Sequence, residues 1–234
     1  MRKNLLALLW PDPCPLCGST APRRDAHPLC NTCLATMAPY TGARCSVCGR
    51  PLPAETAIRC GDCTRRPPPF DTVVYYGLYD DPLRAAIRLF KYHGRRSLAP
   101  FLARLLADTV PADTAELCPV PLHPRRLRKR GYNQSLLLAH HLGRRTGVHV
   151  NPDRLIRSRD TRPQVGLSRT ARLGNIRGAI DVSTDAGIRN RTVVVVDDVC
   201  TTAATAAVCA GALRRAGAGR VIFAALARDD PGSA

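Results

Sequence analysis

The sequence predicts an α/β fold, a mostly parallel sheet flanked by helices, carried behind a small Cys-rich metal-binding module at the N-terminus. Three observations predict it. Four C-x-x-C pairs crowd the stretch from Cys14 to Cys63. Later, runs that are apolar on both faces, TVVVVDDV and RVIFAALA, alternate with helix-like segments, as buried parallel strands do. Between the two textures stands RRPPPF, Arg65 to Phe70, whose consecutive prolines hold an extended backbone. The expected division is a metal-binding module over 1–66, a Pro-rich linker over 67–71 and the sheet domain over 72–234.

Each element follows from local chemistry. Residues 11 to 66 show no sustained period of 3.6 or 2, so that segment needs metal to order itself. Thr72 to Tyr79, TVVYYGLY, alternates and is rich in β-formers. Asp81 followed by Pro82 reads as a helix start, with Leu83, Ile87 and Phe90 on one face. A second helix is expected from Ser97 to about Val110. LCPVPL, Leu117 to Leu122, reads as a short buried strand ending in a loop, followed by a helix over Gln134 to Arg145. The last third repeats strand then helix: TVVVVDDV, a helix stopped near Gly217 or Gly219, and Arg220 to Ala227 as a final strand.

Composition narrows the setting. The apolar run Leu5 to Trp10 is short, ends at Pro11 and lacks a small-x-small cleavage pattern, so a secretion signal is not expected. No segment approaches the roughly 18 apolar residues of a membrane span. A cytoplasmic protein is expected, and there eleven cysteines, eight of them in C-x-x-C pairs, indicate metal thiolates rather than disulfides. The net charge is +17. Between Pro121 and Arg177, 14 Lys or Arg face only Asp153 and Asp160. That density attracts polyanions, nucleic acid or phosphorylated metabolites, although 32 of the 35 basic residues are Arg, as Arg-rich codon usage would also produce.

The strongest motif is the cysteine set. Cys14 and Cys17, Cys30 and Cys33, Cys45 and Cys48, and Cys60 and Cys63 are separated by 12, 11 and 11 residues, the spacing of knuckles that each present two thiolates to a tetrahedral ion. Eight thiolates make two structural Zn²⁺ sites. The simplest pairing is sequential, the first four on one ion and the last four on the other; an interleaved pairing is the alternative. Gly18 and Gly49 follow knuckle cysteines, where a left-handed backbone is often needed.

The second motif is VVVVDDVCTTAAT, Val193 to Thr205. A buried strand delivers Asp197 and Asp198 to its carboxyl end, and a loop of small hydroxyl residues opens the next helix. Acids that can bond vicinal hydroxyls or reach a metal thus stand beside backbone N–H groups suited to a phosphate, a combination that fits a sugar phosphate. The plainer reading is an acidic strand end with Thr201 as an ordinary helix cap. Cys118, Cys200 and Cys209 read as small core or loop residues, with Cys200 exposed to oxidation by its place at the loop. His93, His123, His140 and His141 are candidate phosphate partners or bases for which surface and packing roles weigh more.

Val193 to Thr205 resembles the phosphoribosyl-pyrophosphate motif of type I phosphoribosyltransferases. FKYHGRR at Phe90 to Arg96, PVPLHPRRLRKRGYNQS at Pro119 to Ser135 and TRPQVGLSRTARLGNIRGAI at Thr161 to Ile180 resemble the ComF family in particular, whose competence-associated members carry a zinc module in front. The resemblance implies a type I phosphoribosyltransferase-like sheet domain behind a double zinc ribbon. It implies that Asp197 and Asp198 hold the ribose hydroxyls. It also implies that Cys200, Thr201, Thr202, Ala203, Ala204 and Thr205 wrap the 5′-phosphate, and that Arg125 or Arg126 lies near the pyrophosphate. Gln164, Arg172 and Asn175 match the family pattern where type I enzymes place a mobile lid, with Arg172 a further anion partner. The implied ligands are phosphoribosyl pyrophosphate with Mg²⁺, and the implied partners are single-stranded DNA and proteins of the competence machinery. Two residues depart from the pattern: Ala203 replaces the usual loop glycine and Ile180 the usual aromatic.

Three readings of function follow. One is Mg²⁺-dependent phosphoribosyl transfer with loss of pyrophosphate, for which the sequence names no acceptor. Another is the handling of imported single-stranded DNA during transformation, with a steep salt dependence. The third is a sensor that binds phosphoribosyl pyrophosphate without turnover, a reading that Ala203 supports. The basic stretch offers only Tyr132 as an aromatic platform, which weakens base stacking as a mode of strand binding.

Overall fold

A computed structural model describes residues 13–20, 28–53, 58–159, 178–183 and 187–229. Its frame is a four-stranded, fully parallel sheet of β1 (Thr72–Leu78), β2 (Thr114–Pro119), β5 (Thr192–Cys200) and β6 (Arg220–Arg228), in the order β1-β6-β5-β2. A two-stranded antiparallel ribbon, β3 (Leu155–Arg157) with β4 (Ile180–Val182), lies outside it. The helices of the sheet domain are α3 (Leu83–Tyr92), α4 (Ala99–Leu106), α5 (Pro124–Arg130), α6 (Gln134–Thr146) and α7 (Ala204–Arg215). The Cys-rich segment adds two five-residue helices, α1 (Asn31–Ala35) and α2 (Gly61–Arg65).

The period of two in β5 and β6 divides the core into two layers. Val194, Val196, Ile222, Ala224 and Leu226 pack on α3, α4 and α6 through Ile87, Phe90, Leu102, Leu138 and Leu142. Val193, Val195, Val221, Phe223 and Ala225 face the other way, onto Cys209, Ala210 and Leu213 of α7. Burial on both faces is why these strands are apolar throughout, as the sequence predicts.

The Cys-rich segment closes the open edge of β1. Tyr40 N–H donates to Tyr76 O at 2.7 Å, Val73 N–H to Val47 O at 2.7 Å, and the Thr72 hydroxyl to Ser46 O at 2.8 Å. A strand edge with paired backbone groups cannot recruit a foreign strand. The segment straddles the sheet: Cys14, Leu29, Cys30 and Met37 join the layer beneath α3 and α4, while Cys45, Cys48, Cys60 and Cys63 join the α7 layer. Arg214 anchors the connecting prolines, donating to Pro69 O at 3.2 Å and pairing with Asp71 at 2.5 Å.

Several elements differ from expectation. Asp81 does not cap α3; Pro82 occupies the cap position and Asp81 pairs with the exposed Arg84 instead. The helix expected from Ser97 is α4 flanked by single 3₁₀ turns at Arg96–Leu98 and Ala107–Thr109. The strand expected at Leu117 begins three residues earlier, and the loop after it holds α5, started by Pro124 and capped by His123 Nδ1, which accepts from Arg125 N–H at 3.3 Å. Among the described residues no helix is long and apolar enough to cross a membrane.

Candidate functional site

The cysteines resolve into two sets, Cys14, Cys17, Cys30 and Cys33, and Cys45, Cys48, Cys60 and Cys63, each with all sulfurs within 4.8 Å of one another. This is the sequential pairing. Cys17 Sγ and Cys30 Sγ are 3.6 Å apart, as are Cys48 Sγ and Cys60 Sγ, close to the ~3.8 Å edge of a tetrahedron built on Zn–S bonds of about 2.3 Å. The two sets repeat each other in detail. Cys30 N–H donates to Cys14 Sγ at 3.4 Å and Cys60 N–H to Cys45 Sγ at 3.3 Å, while Gly18 and Gly49 turn the chain with φ of 73° and 69°. Burial pushes Cys14 up, but the N–H groups of Cys30, Cys17 and Leu16 outweigh it and hold the thiol at about 6; Cys45 behaves alike. Burial and neighbouring charge push Cys33 and Cys63 up instead. Four sulfurs this close carry charge together only around a cation, so the donor set fits Zn²⁺ and has no place for a substrate.

The second site sits at the carboxyl end of β5. Asp197 is half-buried and Asp198 is 2% exposed. Two residues that the sequence alone does not single out complete it. Lys91, at the end of α3, donates to Asp198 Oδ1 at 3.0 Å and lies 2.9 Å from Oδ2 as an ion pair; Oδ2 receives no well-angled hydrogen bond. Ser135, in the first turn of α6, donates its hydroxyl to Asp197 Oδ1 at 2.7 Å. Both belong to motifs already visible in sequence, FKYHGRR and GYNQS. The second motif is wholly structural in its means: Gly131 ends α5 in a left-handed conformation, Tyr132 bonds Phe90 O, and Asn133 caps α6 by accepting from Ser135 N–H at 3.0 Å while donating to Val120 O at 3.1 Å. Ser135 is thereby held against Asp197.

Two adjacent carboxylates cannot both ionise cheaply in a buried place. Burial, then the charge of Asp198, push Asp197 up to about 7, against the opposing pull of Lys91. Burial pushes Lys91 down, but the charges of Asp198 and Asp197 prevail and its ammonium is held above the ordinary lysine value. For Asp197 the folded-state value exceeds the unfolded one, so its contribution to stability is complete below about pH 4 and is lost as pH rises through about 7. The Asp197→Asn substitution is therefore expected to raise the stability at pH 8 by roughly 1–3 kcal/mol and to leave it nearly unchanged at pH 4.5, as denaturant titrations at the two pH values would read.

Beyond the acids, Cys200 is the last residue of β5, Thr201 to Ala203 form the turn, and Ala204 and Thr205 begin α7. Thr201 is not the helix cap. Ala203 holds that position with φ 57° and ψ 15° and has no polar side chain to cap the helix, while its own N–H bonds the Cys200 thiol. The Thr202 hydroxyl is buried without a partner among the described residues. Ala203 adopts a left-handed backbone suited to the glycine it replaces, so the loop keeps its shape under strain. Ala203→Gly is expected to stabilise the chain by about 1 kcal/mol, a rise of about 2–4 °C in melting temperature.

Arg125 and Arg126 lie on α5, at the carboxyl end of β2, the strand paired with β5. They stand at the same end of the sheet as the acids. Gln164, Arg172 and Asn175 lie outside the described residues. Cys118, Cys200 and Cys209 are buried, as a packing role requires, and burial pushes the Cys200 thiol up, away from oxidation. His141 is pushed down by burial and then by Arg144. Tyr132 is buried, whereas Tyr92 is 59% exposed with Arg130 5.4 Å from its ring centre, so the fold adds an aromatic to the basic surface that sequence proximity does not reveal.

Residues 5–64 match the double zinc ribbon domain family. The chain is 33% identical to the DNA utilization protein YhgH of Salmonella typhimurium over 201 residues, 82% of this chain and 87% of that protein. It is 33% identical to the same-named protein of Escherichia coli K12, covering 82% and 93%. To Competence protein F of Haemophilus influenzae it is 32% identical, covering 86% and 90%. Among solved structures, the glutamine phosphoribosylpyrophosphate amidotransferase of B. subtilis in complex with ADP and GMP aligns with a TM-score of 0.41 and 18% identity, over 59% of this chain and 30% of that enzyme. An allosteric regulatory enzyme of purine biosynthesis aligns with a TM-score of 0.42 and 20% identity over the same shares.

Proposed function

The chain belongs to the ComF family, that of Competence protein F and DNA utilization protein YhgH, and on that premise we propose that it binds phosphoribosyl pyrophosphate and handles single-stranded DNA taken up by the cell. One observation carries the first half: an acid pair at a strand end, braced by Lys91 and Ser135, stands beside a helix whose cap residue is an alanine and a buried threonine hydroxyl without a partner among the described residues. Asp197 and Asp198 would take the vicinal ribose hydroxyls. Thr201, Thr202 and Thr205, with the amides from Cys200 to Thr205, would take the 5′-phosphate, and Arg125, Arg126 and Arg172 the pyrophosphate. Mg²⁺ would accompany the pyrophosphate and neutralise part of its charge; hard carboxylate oxygens at Asp197 and Asp198 suit it. To admit the ribose, Lys91 must release Asp198 or share it, which couples ligand entry to the end of α3.

The second half rests on charge. Arg125, Arg126, Arg128 and Arg130 crowd one short helix, and Tyr92 offers a stacking face beside Arg130. A cytoplasmic place, contacts with competence proteins and the division into a 1–66 ribbon module, a linker and a 72–234 sheet domain belong to the same proposal. Phosphoribosyl transfer is the reaction such a site could support, and binding without turnover is the simpler role.

The test is a fluorescence titration of a labelled oligothymidylate over a range of salt concentrations, with and without phosphoribosyl pyrophosphate and Mg²⁺. Affinity is expected to fall steeply with salt. Replacing Arg125, Arg126, Arg128 and Arg130 by Gln should lower the salt slope by about one unit per lost phosphate contact. Equal affinity of native and substituted chains would remove α5 from the reading.

A further inference from the structure

The two cysteine sets share a ligand geometry and differ in shelter. Of the eight ligand cysteines only Cys17 is exposed, and Cys33 is half-buried; their counterparts in the second set, Cys48 and Cys63, are 8% and 5% exposed. The knuckle glycines repeat the contrast. Among the described residues, a Cβ placed on Gly18 would meet no atom within 4 Å, whereas one on Gly49 would lie 2.8 Å from the Tyr75 ring and 3.1 Å from Val73 O. The knuckle at Cys45 to Cys48 is thus walled by β1. Ion pairs add to the shelter of the second set: Asp62, between Cys60 and Cys63, pairs with Arg50 at 3.3 Å and with Arg65 at 3.0 Å. The positions that match Arg50 and Asp62 in the first set hold Ser19 and Thr32, which carry no charge.

A sulfur that reacts reversibly needs a path for the reagent and a second sulfur to resolve the product. Cys17 has both. Cys30, 1% exposed, stands behind it with the two Sγ atoms 3.6 Å apart. The second set holds the same pair at the same distance, Cys48 and Cys60, with both residues buried. The protein therefore carries two copies of one dithiol, one open and one closed.

We propose that Cys17 is an oxidation site, at which a hydroperoxide converts Cys17 and Cys30 to a disulfide and frees the metal of the first set, while the second set stays reduced and loaded. The Cys17 thiolate attacks one peroxide oxygen, the O–O bond breaks, and the departing oxygen takes a proton from solvent. The Cys30 thiolate then attacks the Cys17 sulfur, the S–O bond breaks, and the hydroxide that leaves is protonated in turn. Two thiolates lose two electrons, and hydrogen peroxide with two protons becomes two waters. Cys14 and Cys33 remain, too few for a closed tetrahedral site. The change reaches the sheet domain, because Leu29, Cys30 and Met37 belong to the apolar layer beneath α3 and α4, and the Tyr76 hydroxyl donates to Met37 O at 2.6 Å.

The experiment exposes the zinc-loaded full chain to hydrogen peroxide beside a chromophoric chelator too weak to strip the untreated chain, and maps the oxidised cysteines by mass spectrometry. One zinc ion per chain is expected to leave at least tenfold faster than the other, together with a Cys17–Cys30 disulfide. A thiol reductant with added zinc should restore the starting content. Cys17→His keeps a fourth ligand and removes the attacking sulfur, so that chain should carry two zinc ions and lack the fast phase. If the substitution itself costs the first ion, the order of oxidation in the native chain decides, with Cys17 and Cys30 expected before any cysteine of the second set. Retention of both ions under peroxide, loss of both at one rate, or oxidation that appears first at Cys48 or Cys60 overturns the proposal. So does an undiminished fast phase in a two-zinc Cys17→His chain.

Discussion

Asp198→Ala is expected to destabilise the chain by about 2–3 kcal/mol, through Lys91 rather than through the lost carboxylate itself. Removing one partner of a buried ion pair leaves the other charge enclosed, at a cost of about 3–5 kcal/mol when enclosure is complete. Lys91 keeps 21% of its side-chain surface, so a value at or just below the lower end of that range applies. Adding Lys91→Met in the Asp198→Ala background should recover most of the loss, because the uncompensated ammonium goes with it. A double-mutant cycle by urea denaturation reads the coupling directly. Additive effects would show that Lys91 and Asp198 do not depend on each other. The same cycle bears on the proposed function, since the lysine that braces the acid in the free chain is the group a bound ribose would have to displace.

Removal of zinc is expected to have the larger effect. Both cysteine clusters are continuous with the two layers of the sheet core, and the segment between them pairs with β1. Structural zinc contributes on the order of 10 kcal/mol to such modules, comparable to the whole stability of an ordinary domain. The purified chain should carry two zinc ions. Cys63→Ser should leave one and expose the β1 edge and the α7 layer to protease, while a strong chelator should produce a cooperative loss of structure that reaches α7. A chain that keeps its melting temperature after complete metal removal would show that the ribbon is an ornament on a self-sufficient sheet.

Much of this was legible in the sequence because the signals were local. VVVV before two acids can be little other than a buried strand, and eight regularly spaced cysteines point to two tetrahedral sites whatever lies between them. Other features had no local signal. In α5 one leucine, Leu127, stands among cations, so no apolar period marks a helix; Pro124 and the His123 cap set it instead. β3 and β4 have three residues each, too short for alternation to show. Asp81 seemed a cap by its neighbour Pro82, yet the backbone turns one residue later and its carboxylate pairs with Arg84. The site itself depends on contacts between residues far apart in the chain, Lys91 with Asp198 over 107 residues and Ser135 with Asp197 over 62. Both residues lay in segments that resembled the family, but which atoms they would meet was a matter of folding. The consequence of Ala203 was conditional on its φ, and the positive value places the strain on the loop.

Calorimetry of the zinc-loaded full chain with phosphoribosyl pyrophosphate and Mg²⁺ tests the sugar-phosphate site most directly. One binding event per chain is expected, weakened at least tenfold by Asp198→Asn and reduced when Mg²⁺ is withheld. A folded chain with two zinc ions that gives no heat with this ligand, or one whose affinity ignores Asp198→Asn, would contradict it.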